Sequence, residues 1–183
     1  REALTHKRQL LLQGGEDLDV WNHLLATAAA EVIRLRHAYV ERLRETLVEV
    51  LATSELPFPP IEARYRPSPS NGLEGADAIQ DNLERIKDRE RRRQLPLVGP
   101  HRDDLEILWG GHDIRRVASA GQRKALSLLL LPPHGRALEA VGTRPVYLLD
   151  DADAELSPQT HTAVWNVFKG VEQVIATSNR PRI

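Results

Sequence analysis

From Leu18 onward, apolar side chains recur at Leu18, Trp21, Leu25, Ala28, Val32, Leu35 and Tyr39, in alternating steps of three and four residues. That spacing puts them on one face of a helix, and it continues with a shifted phase through Leu43, Leu47 and Val50. About 34 residues at about 1.5 Å each predict roughly 50 Å of helix. Only about three heptads hold register, which favours a long helix packed in a bundle over a free coiled coil. Pro57, Pro59 and Pro60 end the stretch. Before it, Arg1 to Leu12 reads as a helix already under way, stopped by Gly14-Gly15, and Glu16, Asp17 and Asp19 suit the positive start of the next helix.

The sequence of 183 residues is long enough for one good core, or a small domain plus part of another. It contains no methionine and opens without an N-cap, so it reads as a fragment of a longer protein. It has no cysteine, which excludes a disulfide scaffold or a thiolate metal site and fits a reducing cytoplasm. No apolar run approaches the ~20 residues of a membrane span, and no membrane partner is expected. With 25 basic and 26 acidic residues the net charge is −1, so any nucleic-acid contact must come from a local patch.

Past the prolines, Ile61, Ala63 and Tyr65 alternate with Glu62, Arg64 and Arg66, a half-buried strand. A Pro67–Gly72 loop leads to a helix with Ile79, Leu83 and Ile86 on one face, ending in Arg89-Glu90-Arg91-Arg92-Arg93. Because acids are interleaved, this basic tail reads as a solvated surface in preference to a phosphate-binding patch. After residue 94 the character changes. Leu105, Ile107 and Trp109 alternate toward a Gly110-Gly111 hairpin turn, with Ile114 and Val117 on the return strand. A Ser-x-Gly loop opens an apolar helix over Ala125 to Leu131. Pro145 to Leu149 is a short apolar run of the kind buried on both faces of a sheet. Ser157-Pro158 starts a helix that Lys169-Gly170 stops, and Gln173 to Ala176 closes the unit. This β-α-β order predicts two parallel strands with a right-handed crossover.

Val146-Tyr147-Leu148-Leu149 delivers Asp150 and Asp151 to the carboxyl end of a parallel strand, where α/β sheets bind ligands. One such aspartate can hold Mg²⁺ through a water, and a second acid can orient an attacking water, the Walker B arrangement. Alone, the same residues could merely end a strand in a solvated turn. Ser119-Ala120-Gly121-Gln122-Arg123-Lys124 begins a helix, where a hydroxyl, a glycine and free N–H groups suit phosphate oxygens, although an ordinary serine cap has the same look. Thr177-Ser178 follows the last strand, where a hydroxyl could sense a phosphate.

Taken in order, a Ser-Gly-Gln loop, an apolar strand with paired acids, an acid-rich turn, a capped helix and a strand ending in a hydroxyl residue resemble the signature, Walker B, D-loop and switch segments of ABC-type ATPases. Within that group the chain most resembles the RecF family. Gly99-Pro100-His101-Arg102-Asp103-Asp104-Leu105 is similar to the RecF segment that leads into a hairpin. Asp150-Asp151-Ala152-Asp153-Ala154-Glu155-Leu156 is similar to its Walker B and D-loop. Lys7-Arg8-Gln9 with Leu11-Leu12, then Trp21, Arg36 and Tyr39, resemble its helical arm. The resemblance covers nearly the whole chain. It implies an α/β fold: part of an ABC-type ATPase head, with a mixed or parallel sheet and flanking helices, over 95–183, and a mainly helical arm domain over 1–94. It implies a cytoplasmic protein of DNA replication, recombinational repair and the SOS response. Such a protein binds ATP, Mg²⁺ and single-stranded or gapped DNA, dimerises around nucleotide, hydrolyses it slowly, and helps load RecA with RecO and RecR. Carried over, Ser119, Gly121 and Gln122 would contact the γ-phosphate of ATP held by the opposite subunit. Asp150 would serve Mg²⁺ through a water and Asp151 the hydrolytic water. Glu155 would sit in the subunit-coupling loop and Thr177 at the switch.

Two positions depart from the family pattern. Ser157 stands where members usually carry an aspartate, and Pro132-Pro133 with Gly135 interrupt a helix that usually runs on, predicting a kink or early stop. No stretch matches the G-x-x-x-x-G-K-[ST] phosphate cradle and no Gly-Lys pair occurs, so this chain alone is expected neither to bind ATP tightly nor to hydrolyse it. Lacking that lobe, its sheet is expected to expose an edge and an apolar face. Two rivals remain at this level: another ABC-type chromosome or repair ATPase, or a non-catalytic α/β interaction module.

Overall fold

A computed structural model describes residues 1–14, 17–68 and 75–178. The Gly15-Glu16 step and most of the Pro67–Gly72 loop lie outside these described residues. The chain divides into two compact units, one of Arg1–Ala38 with Tyr65–Glu106, the other of Tyr39–Arg64 with Ile107–Ile183.

In the first unit, helix α1 (Glu2–Gln13) ends at Gly14, whose left-handed φ of 70° lets its N–H reach the Leu10 carbonyl. Helix α2 (Leu18–Ser54) runs 37 residues, about 55 Å, and its first half belongs here. Its buried face differs from the heptad reading. Leu18 and Leu25 are buried as expected, but Asn22, Ala26, Ala29 and Ile33 complete the face, while Ala28 and Leu35 are exposed. The small residues allow close packing against helix α3 (Ala76–Arg93), whose Ile79 and Leu83 share this core with Val98. Lys7 and Glu90 lie inside the unit, 0 % and 1 % exposed, 2.6 Å apart, and Glu90 also accepts from the Leu97 N–H at 2.7 Å.

Strand β1 (Ile61–Arg66) forms as expected, with Ala63 its buried residue. It joins β2 (Asp104–Trp109) and the two-residue β3 (His112–Asp113) in a sheet of order β1-β2-β3. Gly110 and Gly111, φ 58° and 83°, make the tight turn between β2 and β3 that pairs Trp109 with His112. Burial rises steadily along β2 instead of alternating: Leu105 is exposed, and Leu108 and Trp109 are both buried, the latter against Phe58. The expected return strand through Ile114 and Val117 is replaced by one helical turn, α4 (Ile114–Val117), because the Asp113 side chain accepts from the Arg115 N–H and caps it.

The core of the second unit gathers Val50, Ala125, Leu128, Leu129, Tyr147, Leu149, Val164 and Phe168. Helix α5 (Ala120–Leu129) stops at Leu130, and α6 (Leu131–Glu139) starts anew with proline in its first turn, the interruption expected from Pro132-Pro133. Gly135 lets α6 lie so close to strand β4 (Tyr147–Leu149) that a Cβ there would overlap the Tyr147 hydroxyl. Strand β5 (Val174–Ala176) pairs with β4 in parallel, Leu149 opposite Ala176, and α7 (Pro158–Phe168) connects them. One face of this pair is bare: Leu148 is 73 % exposed, and Val146 and Ile175 are exposed beside it. That corrects the reading of β4 as buried on both faces and gives the sheet the exposed apolar face that was expected.

Candidate functional site

Parallel pairing aligns the ends of β4 and β5, so Asp150, Asp151 and Thr177 emerge together. The Thr177 N–H donates to the Leu149 carbonyl at 2.9 Å and Ala152 N–H to the Thr177 carbonyl at 3.1 Å, tying the two ends. The Thr177 hydroxyl donates to Asp150 Oδ1 at 2.6 Å and accepts from the Asp151 N–H at 2.9 Å. Asp151 holds a left-handed φ of 46°, which turns the chain sharply off the strand. Both carboxylates are exposed, and the second oxygen of Asp150 has no partner among the described residues. Among those residues no group of three or more His, Asp or Glu side chains could hold a metal alone. A single exposed carboxylate fits Mg²⁺, which keeps several waters and takes its remaining ligands from substrate phosphates.

At the start of α5, Ser119 Oγ accepts from the Gln122 N–H at 3.2 Å, and Gln122 Oε1 accepts from the Ser119 N–H at 2.8 Å, a reciprocal capping box. The box uses acceptors. What stays open is the Ser119 O–H, the Gln122 amide N–H groups and the first-turn N–H groups of Ala120 and Gly121, all donors at the positive end of a ten-residue helix. Gly121 packs against the turn after β4: a Cβ there would meet the Glu155 carbonyl at 2.7 Å. Glu155 itself has φ 65°, exposed at the end of that turn. Ser157, at the position of the family's usual aspartate, caps α7 by accepting from the Thr160 N–H at 3.1 Å.

Ser119, Gly121, Gln122 and Glu155 thus line one cleft of about 190 Å³, together with Phe58, Leu156, Ser157 and Thr160. Sites that enclose a drug-sized ligand run to about 300–1,000 Å³, so this cleft admits a phosphate group and not a whole nucleotide. Asp150, Asp151 and Thr177 are not among its lining residues and form a second cluster. Lys124, one turn into α5, points its Nζ at the Asp150 carbonyl, 3.5 Å away. Sequence reasoning placed Lys124 in the run that opens the helix but gave it no role; its place one turn after Gly121 was the available signal.

No family model matches the chain. It is similar to the DNA replication and repair protein RecF of Carboxydothermus hydrogenoformans, 33 % identical over 188 residues, which covers 99 % of this chain and 52 % of that protein. It is also similar to RecF of Acidothermus cellulolyticus, 33 % identical across 88 % of this chain and 45 % of the relative, and of Geotalea uraniireducens, 31 % identical across 96 % and 50 %. Among solved structures, the recombination mediator protein RecF-ATP in the RecFOR pathway superposes with a TM-score of 0.79 at 25 % identity, over all of this chain and 52 % of that one. The corresponding RecF-ATPrS structure matches with the same TM-score over 98 % and 51 %. The chain spans about half the length of the relatives it matches. Its mixed α/β architecture, 61 % helical with parallel and antiparallel strands, is that of the ABC-type ATPase fold of RecF. By sequence along almost its whole length and by fold, the chain belongs to the RecF family.

Proposed function

We propose that this chain contributes the signature-loop and Walker B parts of a RecF-type ATP site in a DNA-repair protein. The observation that carries the reading is the division of the second unit's open groups: N–H and O–H donors at the start of α5, and free carboxylate oxygens at the end of β4. A γ-phosphate suits the first set, and a hydrated cation with an attacking water suits the second. Ser119, Gly121 and Gln122 bind the γ-phosphate of a nucleotide held by a second subunit, which agrees with a cleft too small for a whole nucleotide. Asp150 would hold Mg²⁺ through a water, and the ion would supply positive charge to neutralise that of the phosphates. Asp151 accepts a proton from the hydrolytic water and orients it. Thr177, bonded to both aspartates, reports the state of that pair, and Glu155 transmits it through its close packing on Gly121.

In this reading the phosphate-gripping loop comes from a P-loop lobe outside this sequence, and residues 1–94 serve as arm and 95–183 as part of the head. The protein works in the cytoplasm as an ATP-dependent dimer on single-stranded or gapped DNA, with RecO and RecR, in loading RecA. The relatives named for DNA replication and repair, and the RecF structures named for ATP and the RecFOR pathway, support it.

The test joins the chain to a P-loop lobe and follows ATP-dependent dimerisation by light scattering alongside turnover. Dimers formed with ATP and Mg²⁺ should vanish in Ser119→Arg, which fills the cleft. Asp151→Asn should keep the dimers and lose at least ten-fold in turnover, since a positioned base contributes about 10²–10⁴-fold. If nucleotide changes neither property in the unmutated protein, the non-catalytic interaction module takes the place of this reading.

A further inference from the structure

The basic tail of α3 takes no part in the ATP site, and the fold changes the argument against it. Its interleaved acids were the reason to read it as a solvated surface. Glu90, however, is buried, paired with Lys7 and bonded to the Leu97 N–H, so it offers no charge to the outside. Glu84 lies 3.3 Å from the Lys87 ammonium, which also pairs with Asp19. What remains outside is Arg85, Arg89, Arg91, Arg92 and Arg93 against Asp81, Asp88 and a Glu84 already engaged by Lys87, all exposed, so the cations are in excess and Asp81 and Asp88 share their face. None of these five guanidinium groups has a side-chain partner among the described residues. Arginines 34, 36, 44, 64, 66, 115, 136 and 144 are each paired with an acid.

Arg85, Arg89 and Arg92 stand at i, i+4 and i+7, one face of the helix opposite Ile79, Leu83 and Glu90. They span about 10 Å of rise, close to three nucleotides at about 3.4 Å per step of one DNA strand. Three basic residues in the last turn also suit the negative end of the helix dipole, but that role reaches only the last turn, and Arg85 and Arg89 lie before it. Arginine in place of lysine favours bidentate contact with phosphate oxygens. We infer that the exposed arginine face of α3 binds the phosphate backbone of DNA, without reading sequence. The choice of DNA over other polyanions rests on the DNA-repair reading above.

Binding of a fluorescein-labelled 30-nucleotide DNA, single-stranded or paired, is to be followed by anisotropy across a salt series without nucleotide. Leaving out nucleotide separates the two proposals: failure of ATP-dependent dimerisation leaves this result standing, and failure here leaves the ATP site standing. Arg89→Ala/Arg92→Ala should weaken binding about ten-fold near 0.1 M salt and lower the log–log salt slope by roughly 1.4–1.8, about 0.7–0.9 per lost phosphate contact. Arg89→Lys/Arg92→Lys should keep the slope. Arg144→Ala, an exposed arginine of the other unit, should change neither. An unchanged slope in the alanine variant overturns the inference, as does equal loss in the alanine and lysine variants, which would mark a structural role. So does binding to phosphatidylserine vesicles with none to DNA, which would make the face a membrane contact.

Discussion

One set of charged residues in the first unit and one in the second are used in opposite ways, the exposed arginines of α3 and the buried Asp153 standing apart from both. In the first set, charges are drawn inside. Lys7 pairs with Glu90 out of contact with water, and Asp103, its side chain 2 % exposed, takes Arg36 at 2.5 Å, the Ser68 N–H at 2.8 Å and the Tyr65 hydroxyl. In the second, Asp150, Asp151, Glu155 and Ser119 stay exposed, and only their backbone or one oxygen is engaged. A buried charge out of reach of solvent has nothing to offer a ligand and answers for structure. An exposed one fixed by a single bond keeps its chemistry available. The contrast assigns stability to the first set and function to the second, and mutation can break it.

The largest expected effect is at Lys7. Lys7→Met strands Glu90 as an unpaired buried charge, and losing one member of such a pair costs about 3–5 kcal/mol. Urea unfolding measures it. Lys7→Met/Glu90→Gln should recover most of the loss, because the glutamine carbonyl still accepts from the Leu97 N–H without a charge to compensate. A cost under about 1 kcal/mol for the single variant would show that water reaches the pair and that the contrast between the units is false.

Gly121 tests the other side of the contrast. Gly→Ala in a helix normally stabilises by up to about 1 kcal/mol. Here the new methyl would meet the Glu155 carbonyl at 2.7 Å, and relieving such a clash costs about 1–3 kcal/mol. Gly121→Ala should therefore destabilise, by less than the Lys7 variant, while displacing the Glu155 turn and abolishing ATP-driven dimers. A stabilised Gly121→Ala protein would mean that the turn yields and that the cleft is not held by this contact.

The same contrast decides what could be read from the sequence. Local signals were legible: the Gly14 stop, the Gly110-Gly111 hairpin turn, the Ser157-Pro158 helix start and the Pro132-Pro133 interruption each depend on neighbouring residues alone. The site motifs were legible too, because a strand ending in acids and a capped glycine loop are local patterns. Lys7 with Glu90 was not, since 83 positions separate them and both sit in runs that look solvent-facing. Nor was the buried face of α2, where alanines and Asn22, weak in any apolar count, face α3. Which aspartate Thr177 engages depends on strand register, and the exposure of Leu148 on what covers the sheet; neither is carried by residue spacing.

The smallest effect concerns Tyr65 and appears only at high pH. Burial, and then its hydrogen bond to Asp103, push the Tyr65 hydroxyl up to about 12, against about 10 in an unfolded chain. Below pH 10 the group is neutral in both states and its contribution to stability is whole. Between pH 10 and 12 the unfolded chain gives up the proton while the folded one retains it, so stability falls as pH rises and levels off above 12. Lys7 acts with the opposite sign, since burial pulls its ammonium below the usual lysine range. The difference between the wild type and Tyr65→Phe isolates the tyrosine. Plotted against pH, the advantage of the wild type should be flat to about 10 and then decline. If it stays flat through pH 12, the Tyr65 hydroxyl is open to solvent and Asp103 is not the sealed hub that sets the first unit apart from the second.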